Sequence, residues 1–106
     1  MERDKLLSML GLCRKAGRLI QGNDAVIQAA SEGKLSLIII ADDISERSLS
    51  NMKHIAEKFG IPLEVAPVTI KELSERTGKA AGILGVADSG FSEAIRKILA
   101  MQVQGG

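Results

Sequence analysis

Aromatic side chains are nearly missing: two Phe stand in 106 residues, with no Trp and no Tyr. That argues against a platform of stacking rings, the usual device for holding single-stranded nucleic acid. There is one cysteine, Cys13, so no internal disulfide can form, and the chain fits a reducing compartment. One histidine, His54, beside that single cysteine leaves little from which to build a zinc site. An excess of one charge is lacking too: 14 Lys and Arg face 13 Asp and Glu, a formal net charge of +1. A basic field over the whole surface is therefore absent, and any nucleic-acid surface must be a local patch. No apolar window reaches the roughly 18 residues of a membrane span. The N-terminal stretch MERDKLL carries acids and no long apolar run, so no secretory leader is expected. Neither GxGxxG nor GxxxxGKS/T occurs, so the common phosphate-loop fingerprints are missing and no cofactor is implied. These absences predict a cytoplasmic protein with no membrane contact. The length predicts a single domain over 1–106.

What is present centres on residues 22–43, GNDAVIQAASEGKLSLIIIADD. Gly22, Asn23 and Asp24 are helix-start residues, Asn and Asp because their side chains can accept from free N–H groups of a first turn. Val26, Ala29 and Ala30 recur at helical spacing, and Gly33 ends the helix. Leu35 and the run Leu37–Ala41 then read as a strand buried on both faces, closed by Asp42 and Asp43. A helix N-terminus coupled to a central strand is where α/β proteins receive anionic ligands.

The remainder alternates helix and strand. Asp4 is placed to cap a first helix whose Leu6, Leu7, Leu10 and Cys13 share a face, with Gly17 at its end. Residues 18–20 read as a connector or edge strand. Ser45 starts a third helix with Leu49, Met52, Ile55, Ala56 and Phe59 on one side, stopped by Gly60 and Pro62. A short strand over 61–66 follows. Thr69 and Glu72 form a capping box, with Val68 and Leu73 as its hydrophobic staple. Residues 83–87 are another buried strand, and Ser89 is placed to cap a last helix carrying Phe91, Ile95, Ile98 and Leu99. The tail 102–106 reads as frayed. Alternation without linker or repeat predicts a three-layer α-β-α sandwich: about four strands in a mostly parallel or mixed sheet, and five helices.

Few residues carry chemistry. His54 lies beside the apolar stripe of its helix and reads as a boundary residue. Cys13 falls on a buried face with no histidine near it in sequence, which suits a structural thiol. Asp42-Asp43 at a strand end can hold Mg²⁺ if a further carboxylate joins them. Asp88 is the candidate for that, while Lys79, which precedes the last strand, is taken to sit at the wrong end. The favoured reading of the same two acids is as caps of the third helix, whose first turn they would make electrostatically favourable. Arg14, Lys15 and Arg18 fit a solvated helix end and a phosphate-contact surface alike.

In order and spacing, Gly22…Gly33-Lys34-Leu35…Leu37–Asp43, Lys58-Phe59-Gly60-Ile61-Pro62, and Glu72-Leu73 with Gly78 resemble the kink-turn RNA-binding ribosomal proteins of the L7Ae type. Leu10-Gly11-Leu12…Lys15-Ala16-Gly17-Arg18-Leu19 with Gly78-Lys79 and Asp88-Ser89-Gly90-Phe91 is similar to their bacterial YlxQ-like branch. The resemblance covers nearly the whole chain. It implies the L30e-like sandwich and a non-enzymatic protein that binds a kink-turn, a sharply bent RNA. In the family the second helix's N-terminus enters the major groove at tandem sheared G·A pairs, and a loop before the last strand covers extruded bases. The RNA-binding residues so implied are Gly22, Asn23, Asp24, Ala25 and Gln28, the cations Arg14, Lys15, Arg18, Lys34 and Lys79, and the loop Ala80, Ala81 and Gly82. The implied partners are structured RNA, ribosomal RNA included, and the ribosome or translation factors, met by a monomer.

The family's strongest pattern is glycine, any residue, asparagine, glutamate, then lysine three further on. An ungapped match to Gly33 sets Gly22 on the glycine, Asp24 on the asparagine, Ala25 on the glutamate and Gln28 on the lysine. The YlxQ-like branch tends to carry an acid at the Asp24 position. Asp24 accepts from a guanine edge but cannot donate, Ala25 reads nothing, and Gln28 keeps hydrogen bonding without charge. An alternative is therefore a protein-interaction module of the translation machinery that has lost specific kink-turn reading.

Overall fold

The computed structural model describes residues 2–104. Its elements run α1 (Glu2–Lys15), β1 (Leu19–Gln21), α2 (Asn23–Ser31), β2 (Leu37–Ala41), α3 (Glu46–Phe59), β3 (Leu63–Ala66), α4 (Ile70–Thr77), β4 (Ile83–Val86) and α5 (Ser89–Gln104). The strands form one mixed sheet in the order β1-β4-β2-β3. Only β2 and β3 are parallel; β4 runs antiparallel to both β1 and β2.

β2 explains the layering. All five of its residues, Leu-Ile-Ile-Ile-Ala, are buried. Because side chains alternate across a strand, Leu37, Ile39 and Ala41 enter one core with Leu6, Leu10 and Cys13 of α1, Leu73 of α4 and Ile95 of α5. Ile38 and Ile40 enter the other, with Val26 and Ala30 of α2 and Met52 and Ala56 of α3. Burying each Leu, Ile, Val or Met side chain among these is worth about 1.5–3 kcal/mol. The sheet is thus covered by α1, α4 and α5 on one face and by α2 and α3 on the other, the expected sandwich. Next to β2, Gly85 leaves room for Leu35: a Cβ at 85 would stand 2.8 Å from Leu35 Cδ2.

Local signals decide the element ends. Gly33, at φ 72°, closes α2 with Gly33 N–H donating to Ala30 and Lys34 N–H donating to Ala29, a Schellman arrangement. The Thr69–Glu72 capping box forms as expected, and Val68 and Leu73 are both fully buried in one core. Four expectations need correction. Asp4 lies within the first turn of α1, which already begins at Glu2. Asp88, not Ser89, caps α5, its Oδ2 accepting from Phe91 N–H at 2.8 Å. Ser45 caps α3 unaided, accepting from Ser48 N–H, whereas Asp43 accepts from Ile70 N–H at 2.9 Å and so serves α4. The helix over the tail continues to Gln104; residues 105 and 106 of the expected frayed end lie outside the described residues. No described helix is long and apolar enough to cross a membrane.

Candidate nucleic-acid interface

β1 delivers the chain to the start of α2. Gly22 N–H donates to Ile83 O at 3.0 Å, so the first turn of α2 sits beside the entry of β4. Gly22 is the N-cap, with φ 103° and ψ 153°, a conformation that L side chains rarely adopt. No side chain caps α2. Ser45, Thr69 and Asp88 close the starts of α3, α4 and α5. The start of α2 is therefore a helix end with its donors and partial positive charge open to a ligand. Asn23 does not turn back to cap; its Nδ2 donates to Asp24 Oδ1 at 3.3 Å. Asn23, Asp24, Ala25 and Gln28 are exposed. Gln28 Nε2 donates along the helix to Glu32 Oε2 at 3.3 Å.

The antiparallel course of β4 brings the loop before it to the same end of the sheet. Lys79 Nζ donates to Gln21 O at 3.4 Å and lies 3.8 Å from where a Cβ on Gly22 would stand. This reverses the expectation for Lys79 and Asp88. Ile40 pairs with Ile83 and Leu37 with Val86, so Lys79 shares the Asp42-Asp43 end of the sheet and Asp88 lies at the opposite end. The three-carboxylate arrangement does not form, and among the described residues no group of three or more His, Cys, Asp or Glu is placed to hold a metal ion. Of the loop itself, Lys79 and Ala80 are exposed, whereas Ala81 is buried. Gly82 is held to the sheet by its carbonyl, which accepts from Ala41 N–H at 2.9 Å.

The other cations divide. The Arg14 guanidinium rests 3.5 Å from the Cβ position of Gly78, one residue before Lys79, and Lys15 lines the same surface groove. Arg18 and Lys34 belong to the far end. Arg18 O accepts from Ala87 N–H, beside Asp88. Lys34 lies beyond the nine residues of α2, about 13 Å along its axis. Its Nζ pairs with Glu32 Oε1 at 3.0 Å, and that bond, with Gln28 beside it, holds the Glu32 carboxyl below the usual range.

Several residues were not singled out for the site from the sequence, among them His54, which reads there only as a boundary residue. Arg47, Ser48, Ser50, Asn51 and His54 on α3 line a polar hollow with Asn23. Only the packing of α2 against α3 reveals it. Arg76, in the last turn of α4, lines the groove of Arg14 and Lys15; its place before Gly78-Lys79 was the available signal. Gln21, whose carbonyl receives Lys79, has a buried side-chain nitrogen without a partner. Cys13 is fully buried, and burial, with Asp88 adding to it, pushes its thiol from 9.0 to about 11. It is neutral at physiological pH and no nucleophile.

Comparison with known proteins bears on the family and the fold. A model of the ribosomal protein L7Ae/L30e/S12e/Gadd45 family matches residues 4–96. The RNA-binding protein YlxQ of Enterococcus faecium is 25% identical over 97 residues, which cover 92% of this chain and 93% of that protein. A solved structure of a protein of unknown function from Bacillus halodurans superposes with a TM-score of 0.85 at 28% identity, covering 91% of this chain and 97% of the other. The 15.5 kD RNA-binding protein of Giardia lamblia shares the fold, with a TM-score of 0.75 at 14% identity over 95% of this chain and 88% of its own.

Proposed function

The chain belongs to the ribosomal protein L7Ae/L30e/S12e/Gadd45 family, and on that premise we propose that it is a non-enzymatic RNA-binding protein. It takes a kink-turn or similarly bent RNA at the N-terminus of α2, as a ribosomal or ribosome-associated component of the cytoplasm. The observation that carries this reading is the open start of α2, with Gly22 in a glycine conformation and Lys79 beside it. Backbone N–H groups there can donate to base edges or phosphates, and the missing Cβ lets RNA approach the main chain. Lys79 adds an exposed cation for phosphate at the same mouth. The relative from Enterococcus faecium, called an RNA-binding protein and aligned over nearly the whole chain, supports an RNA ligand.

A second reading, a module that meets a protein of the translation machinery, is favoured by two observations. Gln28 is engaged with Glu32, and Asp24 places an acid at the helix start. A titration with a standard kink-turn RNA, beside a control whose G·A pairs are replaced by Watson–Crick pairs, separates the readings. Preferential binding to the kink-turn supports specific reading of the bend. Equal, salt-dependent binding to both leaves a general structured-RNA binder, and binding to neither favours the protein partner.

A further inference from the structure

We propose that the groove between the ends of α1 and α4 is a second phosphate-binding surface, in which Arg14, Lys15 and Arg76 hold the backbone of an RNA strand running on from Lys79. This rests on the RNA reading above and enlarges the footprint beyond the start of α2. The groove, of about 340 Å³, is lined by Ser8, Gly11, Leu12, Arg14, Lys15 and Arg76. The Arg76 stem crosses α1 where Gly11 has no side chain, its Cγ 3.8 Å from the position a Cβ would take. Arg14 crosses the other way and meets the end of α4 at Gly78.

The cations here are uncommitted. Arg3, Lys34, Arg96 and Lys97 each pair with a carboxylate, but Arg14, Lys15 and Arg76 form no ion pair among the described residues. The helix ends explain only part of the cluster. Each of the two C-termini presents about half a negative charge, so three cations leave an excess of about two. In a chain whose formal net charge is +1, that excess defines a local basic patch. It is also continuous with the first site: Arg14 stands 3.5 Å from where a Cβ on Gly78 would be, and the next residue, Lys79, stands 3.8 Å from where one on Gly22 would be. Separate cations along an open groove suit a row of phosphates better than one ion, and an RNA bound at Gly22 supplies such a row.

The test compares the wild-type chain with the triple variant Arg14→Gln, Lys15→Gln, Arg76→Gln. All three residues are exposed, so the variant is expected to fold, which its thermal melt checks. A second variant, Gly11→Glu, puts an acid into the groove while keeping every cation. Dissociation constants are measured against KCl concentration for a kink-turn RNA with long flanking helices and for one with trimmed flanks. Each phosphate contact contributes about 0.7–0.9 to the salt slope. The triple variant is expected to lose about 2–3 from the slope on the long RNA, Gly11→Glu to bind it more weakly, and the trimmed RNA to erase both differences. Wild-type binding with an unchanged slope in the triple variant overturns this inference alone. A wild-type chain that binds neither RNA overturns the proposed function with it. Capture of an acidic peptide instead of RNA, lost in the triple variant, reassigns the groove and overturns the phosphate assignment.

Discussion

Lys79 reaches the start of α2 from the far side of the fold: its Nζ lies 3.8 Å from where a side chain on Gly22 would begin, and it donates to the carbonyl of Gln21. Two residues distant in sequence thus frame one mouth, one by a missing Cβ and the other by a cation.

Substituting Gly22 tests that mouth. Alanine at φ 103° is strained wherever its methyl points, and is expected to lower stability by about 1–3 kcal/mol. It is also expected to hold RNA away from the backbone. A denaturant titration and an RNA titration of Gly22→Ala check both effects. Wild-type stability together with wild-type affinity would refute the role given to this glycine.

The cations should separate by position. Lys79→Ala is expected to weaken RNA binding and lower its salt slope by about 0.7–0.9. Lys34→Ala, at the other end of α2 and paired with Glu32, should leave both unchanged. Equal losses in the two variants would contradict the placement of the interface.

Asp43 and Asp42 should differ in a thermal melt. Asp43 accepts from the first N–H of α4, so Asp43→Ala is expected to cost about 1 kcal/mol. Asp43→Asn, which keeps an acceptor, should cost less. Asp42 is exposed, and no side-chain bond is formed by it among the described residues, so Asp42→Ala should be near neutral. A larger loss at Asp42 than at Asp43 would reverse this assignment.

Alkaline stability should report Cys13. Its thiol ionises near 9.0 when exposed and only at about 11 in the fold, so above pH 9 the unfolded chain releases a proton that the folded chain keeps. The contribution is whole below pH 9 and is lost between pH 9 and 11, in all about 2–3 kcal/mol from the difference between the two values. In a series of urea melts, Cys13→Ala should be less stable at neutral pH but show a flatter decline above pH 9. An equally steep decline in the variant would assign that loss to other groups.

The positions of the elements were legible in the sequence because their signals are local. The period of Leu6, Leu10 and Cys13 marked the inner face of α1, and Thr69 with Glu72 marked the start of α4. Gly33 and Gly60, both at positive φ, marked two helix ends. Caps supplied from outside their helix were not legible. Asp43 follows β2, yet serves α4 across a tertiary contact that the alternating pattern does not encode.

The candidate site divides the same way. Sequence by itself determined that Gly22 to Asp24 begin a helix, that β2 is buried on both faces, and that the chain has no general basic field. Each of these depends on residue type and near-neighbour spacing. Only the tertiary structure decided which end of the sheet β4 enters. Alternation of side chains is the same in either strand direction, so hydrophobic pattern cannot distinguish them. The antiparallel entry of β4 sets Lys79 against Gly22 and carries Asp88 to the opposite end. Packing of α1 on α4 likewise gathers Arg14, Lys15 and Arg76, because groups far apart in sequence meet only where the buried faces of their helices are joined.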